Sequence, residues 1–278
     1  MPLTEKLISS FLAFELDIDI NSPIHSIRTN AIKKFEELGF PNRKLENWKY
    51  TSLNRIIKED YTVFSKKKNV IDFKKVQDYF INNIESYKII FVDGFFDPFL
   101  SQTSHDGMDI CIMSAALSKA KYSKIINKFF NKSANSEDSL TSLNTAFSKE
   151  GAYIHIPKNT VLDKPVEIIH FATGNEAALM LQPRNLVVVE ENSEVEIIES
   201  HQSLTVNPIF TNSVTEIFAQ KNSNVDYYKI QNDVITSSLV DNTYISQQRN
   251  SEVKVHTFSF GGKLTRNNLN FYQKDEAI

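Results

Sequence analysis

Three copies of one short phrase punctuate the second half of this chain: Asn192-Ser193-Glu194-Val195, Asn222-Ser223-Asn224-Val225 and Asn250-Ser251-Glu252-Val253, with a looser copy at Asn159-Thr160-Val161. The spacings are 33, 30 and 28 residues, and each phrase lies between strand-like runs. A period of this size marks a repeat whose unit is one strand, a tight Asn turn and a second strand. Glycine is scarce, 7 of 278 residues, so Asn takes the corners: its short amide bonds the local backbone and tolerates the left-handed region.

After each turn the apolar positions alternate and then change phase: Val195, Ile197, then Ile198; Val225, Tyr227, then Tyr228 and Ile230; Val253, Val255, then Phe258 and Phe260. An odd slip exchanges the two faces of a strand, so each unit is expected to bend at a bulge. Stacked bent units predict a mainly β fold with a parallel β-helix over residues 151–278. An antiparallel meander or sandwich could carry the same turns.

Residues 1–150 are patterned differently and form the second predicted domain, a mostly helical one. Leu7, Phe11 and Phe14 have helical spacing, as do Ile24, Ile27, Ala31, Phe35 and Leu38, which follow the start signal Ser22-Pro23 and end at Gly39. Val76, Tyr79 and Phe80 suggest a further helix. KIIFV, Asp93-Gly94 and FFDPFL read as a β-hairpin near residues 88–100. Helical spacing returns at residues 121–130 and again at Leu140, Leu143 and Phe147, with Gly151 read as the stop.

With 41% hydrophobic residues the chain has material for one long core or two ordinary domains, and a net charge of −3 without a basic stripe argues against nucleic acid. Lys66-Lys67-Lys68 reads as a solvated loop. One cysteine excludes an internal disulfide framework, and no signal-peptide pattern or membrane-spanning run is present, so a cytoplasmic protein without membrane contact is expected.

The search for chemistry names no catalytic, cofactor-binding or metal-ligating residue. His25, His105, His155, His170, His201 and His256 lack the spacing that brings two imidazoles onto one helix face, and each reads as a solvated or hydrogen-bonded strand or loop residue. His155 alternates with Ile154 and Ile156 and belongs to the opposite strand face. Cys111 reads as a small buried residue, and a lone thiolate cannot hold an iron–sulfur cluster. No phosphate loop or nucleophile elbow occurs. In-register stacking would align Glu196, Asp226 and Lys254 on one outer face about 4.8 Å apart. That row reads first as a polar ladder, and second as carboxylates that bind a cation or act as the acid and base of a polysaccharide-active β-helix enzyme; Glu190, Glu191, Glu194 and Glu199 make the strip acidic, a weak divalent-metal surface with no ligand set to name.

Residues 43–53, RKLENWKYTSL, contain the only tryptophan and resemble the N-terminal signature of the SufB/SufD family of iron–sulfur cluster assembly proteins, in its SufD form, filled by Arg43, Glu46, Trp48, Lys49, Tyr50 and Thr51. KIIFVDGFF, LNTAFSKEGAYIHIPKNTVLDKPVEI, QPRNLVVVEENSEV and FSFGGKLTRNNLNFY resemble later family segments in order. The resemblance implies a right-handed parallel β-helix in a non-catalytic scaffold subunit of the SUF machinery, working with a SufB-like paralogue and a SufC-like ABC ATPase. It implies support of cluster assembly and iron supply at the level of the complex, with no cofactor bound by this chain alone. The motif residues are expected to pack, Trp48 and Tyr50 through their rings and Arg43 with Glu46 across a helical turn. Relatives continue past the RNNL segment into the region that docks the ATPase, so the coil is expected to be incomplete, with the edge around Phe271–Ile278 disordered or paired with another chain. A plain oligomerisation module, a homodimer, is a third reading.

Overall fold

The computed structural model describes residues 1–16, 24–63, 68–103 and 109–275. The start signal Ser22-Pro23, His105, Lys66, Lys67 and the last residues through Ile278 lie outside the described residues.

The repeats wind into a two-sheet coil. β4 (Ala152–Ile156), β7 (Arg184–Val189), β9 (Ile209–Ala219), β11 (Ser237–Gln247) and β13 (Leu264–Gln273) lie side by side in one sheet, all parallel. β5 (Val166–Ala172), β8 (Glu194–Ser203), β10 (Asn224–Asp233) and β12 (Glu252–Gly261) form the other in the same way. Chain order alternates between the sheets, so each rung is one strand from each. The short β6 (Leu179–Leu181) pairs with β9.

The Asn corners stack. Asn159, Asn192, Asn222 and Asn250 all have positive φ, between 56° and 61°. The Asn192 amide donates to the Asn159 Oδ1 at 2.9 Å, Asn222 to Asn192 at 2.9 Å and Asn250 to Asn222 at 3.2 Å. Asn thus serves twice, tolerating the left-handed turn and forming a side-chain ladder along the coil. Asn222→Ala is expected to lower stability by about 1–2 kcal/mol, from αL strain and the lost ladder bonds, and Asn222→Gly by less, because glycine removes the strain. Urea denaturation of the three proteins checks the order.

The predicted change of phase is a correction. β8 and β10 stay in register without a break from Glu194↔Asn224 to Gln202↔Asn232, and no bulge bends them. The inward series continues as Val195, Ile197, Glu199, His201 on β8 and Val225, Tyr227, Lys229, Gln231 on β10. The lumen is apolar beside the Asn corners, around Ile154, Val187, Val195, Ile197, Ile217 and Ile245, and polar further along. Ile198 is buried from outside, beside Ile169 and Ile230.

Earlier residues close the first rung and cover the outer faces. β1 (Tyr87–Val92) joins β5 in parallel and turns through Asp93 (φ 49°) and Gly94 (φ 81°) into β2 (Phe95–Phe96), while β3 (Asp109–Ile112) joins β4 antiparallel. The positive φ values match the expected hairpin chemistry. α1 (Leu3–Leu16), α2 (His25–Leu38) and α6 (Ser139–Phe147) pack Leu7, Phe14, Phe35, Leu143 and Phe147 into one cluster with Phe210 and Val240 of the sheet. α4 (Met113–Leu117) and α5 (Ala120–Phe129) cover Tyr153, Leu186 and Val188. α3 (Phe73–Val76) and a following 3₁₀ turn, Gln77–Tyr79, lie on the opposite sheet, where Val76 meets Ile90 and Phe171.

Gly151 does not stop α6, which ends four residues earlier at Phe147. A Cβ at Gly151 would sit 1.8 Å from the Arg184 carbonyl oxygen, so this glycine is required by a close approach of two backbones. At the far end β12 and β13 are edge strands, with Phe258, Phe260, Leu269 and Phe271 exposed.

Candidate functional site

The polar half of the lumen gathers polar side chains from six strands. His170 of β5 pairs in register with His201 of β8, and Glu199, two residues before His201, points the same way. Strand alternation forces this, since residues i and i+2 share a face. Phe91, His170 and His201 stack as a ladder, with ring centroids 5.1 Å and 4.7 Å apart and planes within 13° and 10°. Tyr227 and Lys229 of β10 continue the inward row, and Asn185, Thr215, Asp241 and Thr243 face them from the other sheet.

Glu199 is the hub. Its Oε1 accepts from Asn185 Nδ2 at 2.8 Å and lies 3.2 Å from His170 Nε2, and its Oε2 accepts from the Tyr227 hydroxyl and, at 3.4 Å, from Thr215. His201 Nε2 is 3.6 Å from the same Oε1, outside hydrogen-bond reach, and has no other partner. Lys229 Nζ pairs with Asp241 and donates to Thr243 Oγ1 at 2.7 Å.

Burial alone would raise the Glu199 carboxyl, but the two imidazoles and Lys229 outweigh it and hold it well below the usual carboxylate range. Burial lowers His170 and favours its neutral form, against the pull of Glu199. Burial also raises Asp241, partly offset by Lys229. A fixed carboxylate beside two imidazoles can bind a cation or hold a proton. A cavity of about 60 Å³ reaches this cluster at His170, past Phe91, Asp93, Lys149 and Glu150.

A second buried pair fastens the helices to the outer sheet face. Arg184 Nη2 meets Glu216 Oε2 at 2.6 Å, and Glu216 also accepts the amides of Asn131, Ser133 and Ala134 at 2.7, 2.9 and 3.1 Å. The polar stretch between α5 and α6 is thus anchored to the coil. Nearby, Asp109 takes Lys121 at 2.7 Å and Tyr122 at 2.8 Å, with His155 Nδ1 at 3.3 Å. Burial raises its carboxyl, yet these three partners prevail and leave it below its usual 3.8. A folded value below the unfolded one stabilises above the unfolded value and is lost as pH falls through the folded one. Asp109→Asn is therefore expected to flatten the dependence of stability on pH below about pH 4, measured by urea midpoints along a pH series.

The residues singled out in the sequence fall elsewhere. Glu196, Asp226 and Lys254 align in register on the outer face as expected, and Lys254 Nζ pairs with Glu252 at 3.1 Å. His155 is on the outer strand face, buried between Asp109 and Glu190, and His256 stacks on Tyr228. Cys111 is half-buried, and burial lifts its thiol to about 11. Trp48 is buried, and the Arg266 guanidinium lies 4.2 Å from its ring while donating to Thr51 Oγ1 and the Asn47 carbonyl. This joins RKLENWKYTSL to FSFGGKLTRNNLNFY. Two expectations are corrected: Tyr50 is 89% exposed, because it follows a single 3₁₀ turn (Glu46–Trp48) that buries only Trp48, and no ion pair joins Arg43 to Glu46 among the described residues.

By sequence His170 and His201 read as separate strand residues and Glu199 as part of an outer acidic strip, whereas Glu199 is fully buried in the lumen between them; helical spacing does not join the three. In a coil the informative interval is one rung, and residues 170 and 201 differ by 31, inside the range of the Asn spacings.

Coil, closing strands and interior cluster define a β-solenoid protein with a helical front. The chain belongs to the SufBD family: residues 3–168 match the SufBD protein N-terminal region and residues 170–278 the SUF system FeS cluster assembly, SufBD core domain. It is 28% identical over 258 residues to an iron–sulfur cluster assembly SufBD family protein of Synechocystis, covering 90% of this chain and 56% of that one. Iron–sulfur cluster assembly protein SufD of Bacillus subtilis is 25% identical, with 90% and 58% covered, and the chloroplastic protein ABCI7 of Arabidopsis thaliana 24%, with 90% and 53%. The chain spans about half the length of the curated relatives it matches. Among the described residues no helix is long and apolar enough to cross a membrane.

Proposed function

We propose that this chain is a non-catalytic, SufD-like scaffold subunit of a cytoplasmic SUF iron–sulfur assembly complex, partnered by a SufB-like paralogue and an ABC-type ATPase. The observation that carries this reading is the match of both family regions, in order and almost end to end, on a coil whose first rung is closed by β1 and β3. The contact between Trp48 and Arg266 supports it, because it locks the SufD-like signature of the front half onto the last strand of the coil. The open β12 and β13 edges offer backbone groups and apolar side chains of the kind a paralogous chain can cover.

The test is co-expression of the tagged chain with a SufB-like paralogue and the ATPase, read by co-purification and light scattering, beside a form carrying any further sequence its gene encodes past residue 278. A stoichiometric complex of either form with the paralogue is the expected result. Elution of both forms as monomers or self-dimers would overturn the proposal.

A further inference from the structure

The interior cluster has the donor set, spacing and enclosure of a metal site. Nε2 of His170, Nε2 of His201 and a carboxylate oxygen of Glu199 all lie within 4.8 Å of one another, and all three side chains are more than nine-tenths buried. Ligands about 2.0–2.2 Å from a tetrahedral ion are separated from each other by about 3.3–3.6 Å. The two imidazole-to-carboxylate separations, 3.2 and 3.6 Å, fall at that scale.

Two further observations point to a ligand. His201 Nε2 is buried and aimed at the cluster without a hydrogen-bond partner, although burying such an atom unpaired is costly. The carboxylate is already oriented from behind, by Asn185 on Oε1 and by Tyr227 and Thr215 on Oε2, the kind of support that metal-ligating carboxylates receive. Charge agrees as well. Glu199 and Asp241 bring two buried carboxylates into this part of the lumen beside the single buried ammonium of Lys229.

We propose that His170, Glu199 and His201 bind one first-row divalent transition-metal ion inside the coil, where His170 also lines a cavity of about 60 Å³. Two imidazoles and one carboxylate suit zinc, cobalt(II) or iron(II), and they discriminate against magnesium and calcium, which prefer oxygen donors throughout. The three ligands leave a fourth position for water or another donor.

The site concerns the chain alone and is tested without a partner, so its outcome is separate from that of the co-purification. The tag-free chain, stripped with chelator and dialysed, is titrated with cobalt(II) by visible absorbance and with zinc by calorimetry. One ion per chain at micromolar affinity or tighter is expected, and His170→Ala and His201→Ala are each expected to weaken binding at least about ten-fold. His256→Ala, on the outer face, is expected to change it less than about two-fold. X-ray absorption of the wild-type zinc form should count two imidazoles, a readout that stands even if an alanine variant fails to fold. Lack of saturable binding by the folded wild type, fewer than two imidazoles, or loss of binding in His256→Ala would overturn the site.

Discussion

Replacing Glu216 by alanine is expected to destabilise the protein by about 3–5 kcal/mol, the range for removing one partner of a buried ion pair. The variant strands the Arg184 guanidinium, which is fully buried, and removes the acceptor for three loop amides and the Ser133 hydroxyl. Two elements should respond together, the sheet at β7 and β9 and the segment between α5 and α6. In a chain of this size the loss corresponds to a fall in Tm on the order of 10 °C. Glu216→Gln keeps one carbonyl acceptor and should fall between the two. Thermal melts give the size of the effect, and hydrogen exchange at residues 131–134 its location. Protection there unchanged in Glu216→Ala would show that the loop is held by something else.

The second large effect lies in the lumen. Lys229→Met leaves Asp241 buried opposite an apolar chain, and about 3–5 kcal/mol should again be lost. The informative protein is the double variant Lys229→Met with Asp241→Asn, which removes both charges and keeps the side-chain volumes close. It should recover most of the loss, to within about 2 kcal/mol of wild type, because the penalty comes from an unpaired charge rather than from the missing contact. A double-mutant cycle in urea measures the coupling. If the two losses simply add, Lys229 and Asp241 are not a pair in solution.

These two predictions concern residues that a reading of hydrophobic pattern passes over. Glu216, Glu199, Lys229 and Asp241 are all acidic or basic residues in strands, where polarity ordinarily signals an outward face. In this coil the interior itself becomes polar beyond the Asn corners, so Glu199 and His201 face inward while the apolar Ile198 faces a covered outer surface. The apparent change of phase was therefore a change in what the lumen contains, with no slip in the strand.

Where local chemistry decided, the sequence was sufficient. Asn at positive φ, the Asp93-Gly94 turn and the helical stripes of α1 and α6 depend on a few neighbouring residues, and the similar intervals between Asn phrases carry the stacking. From these alone came the wound coil, the hairpin and the alignment of Glu196, Asp226 and Lys254. Tertiary structure alone decided which polar side chains meet. Rung stacking sets His170 over His201, helix docking sets the loop amides on Glu216, and both join residues separated by tens of positions. Such pairings are paid for by burial of the whole surface, and no short window of residues contains that energy.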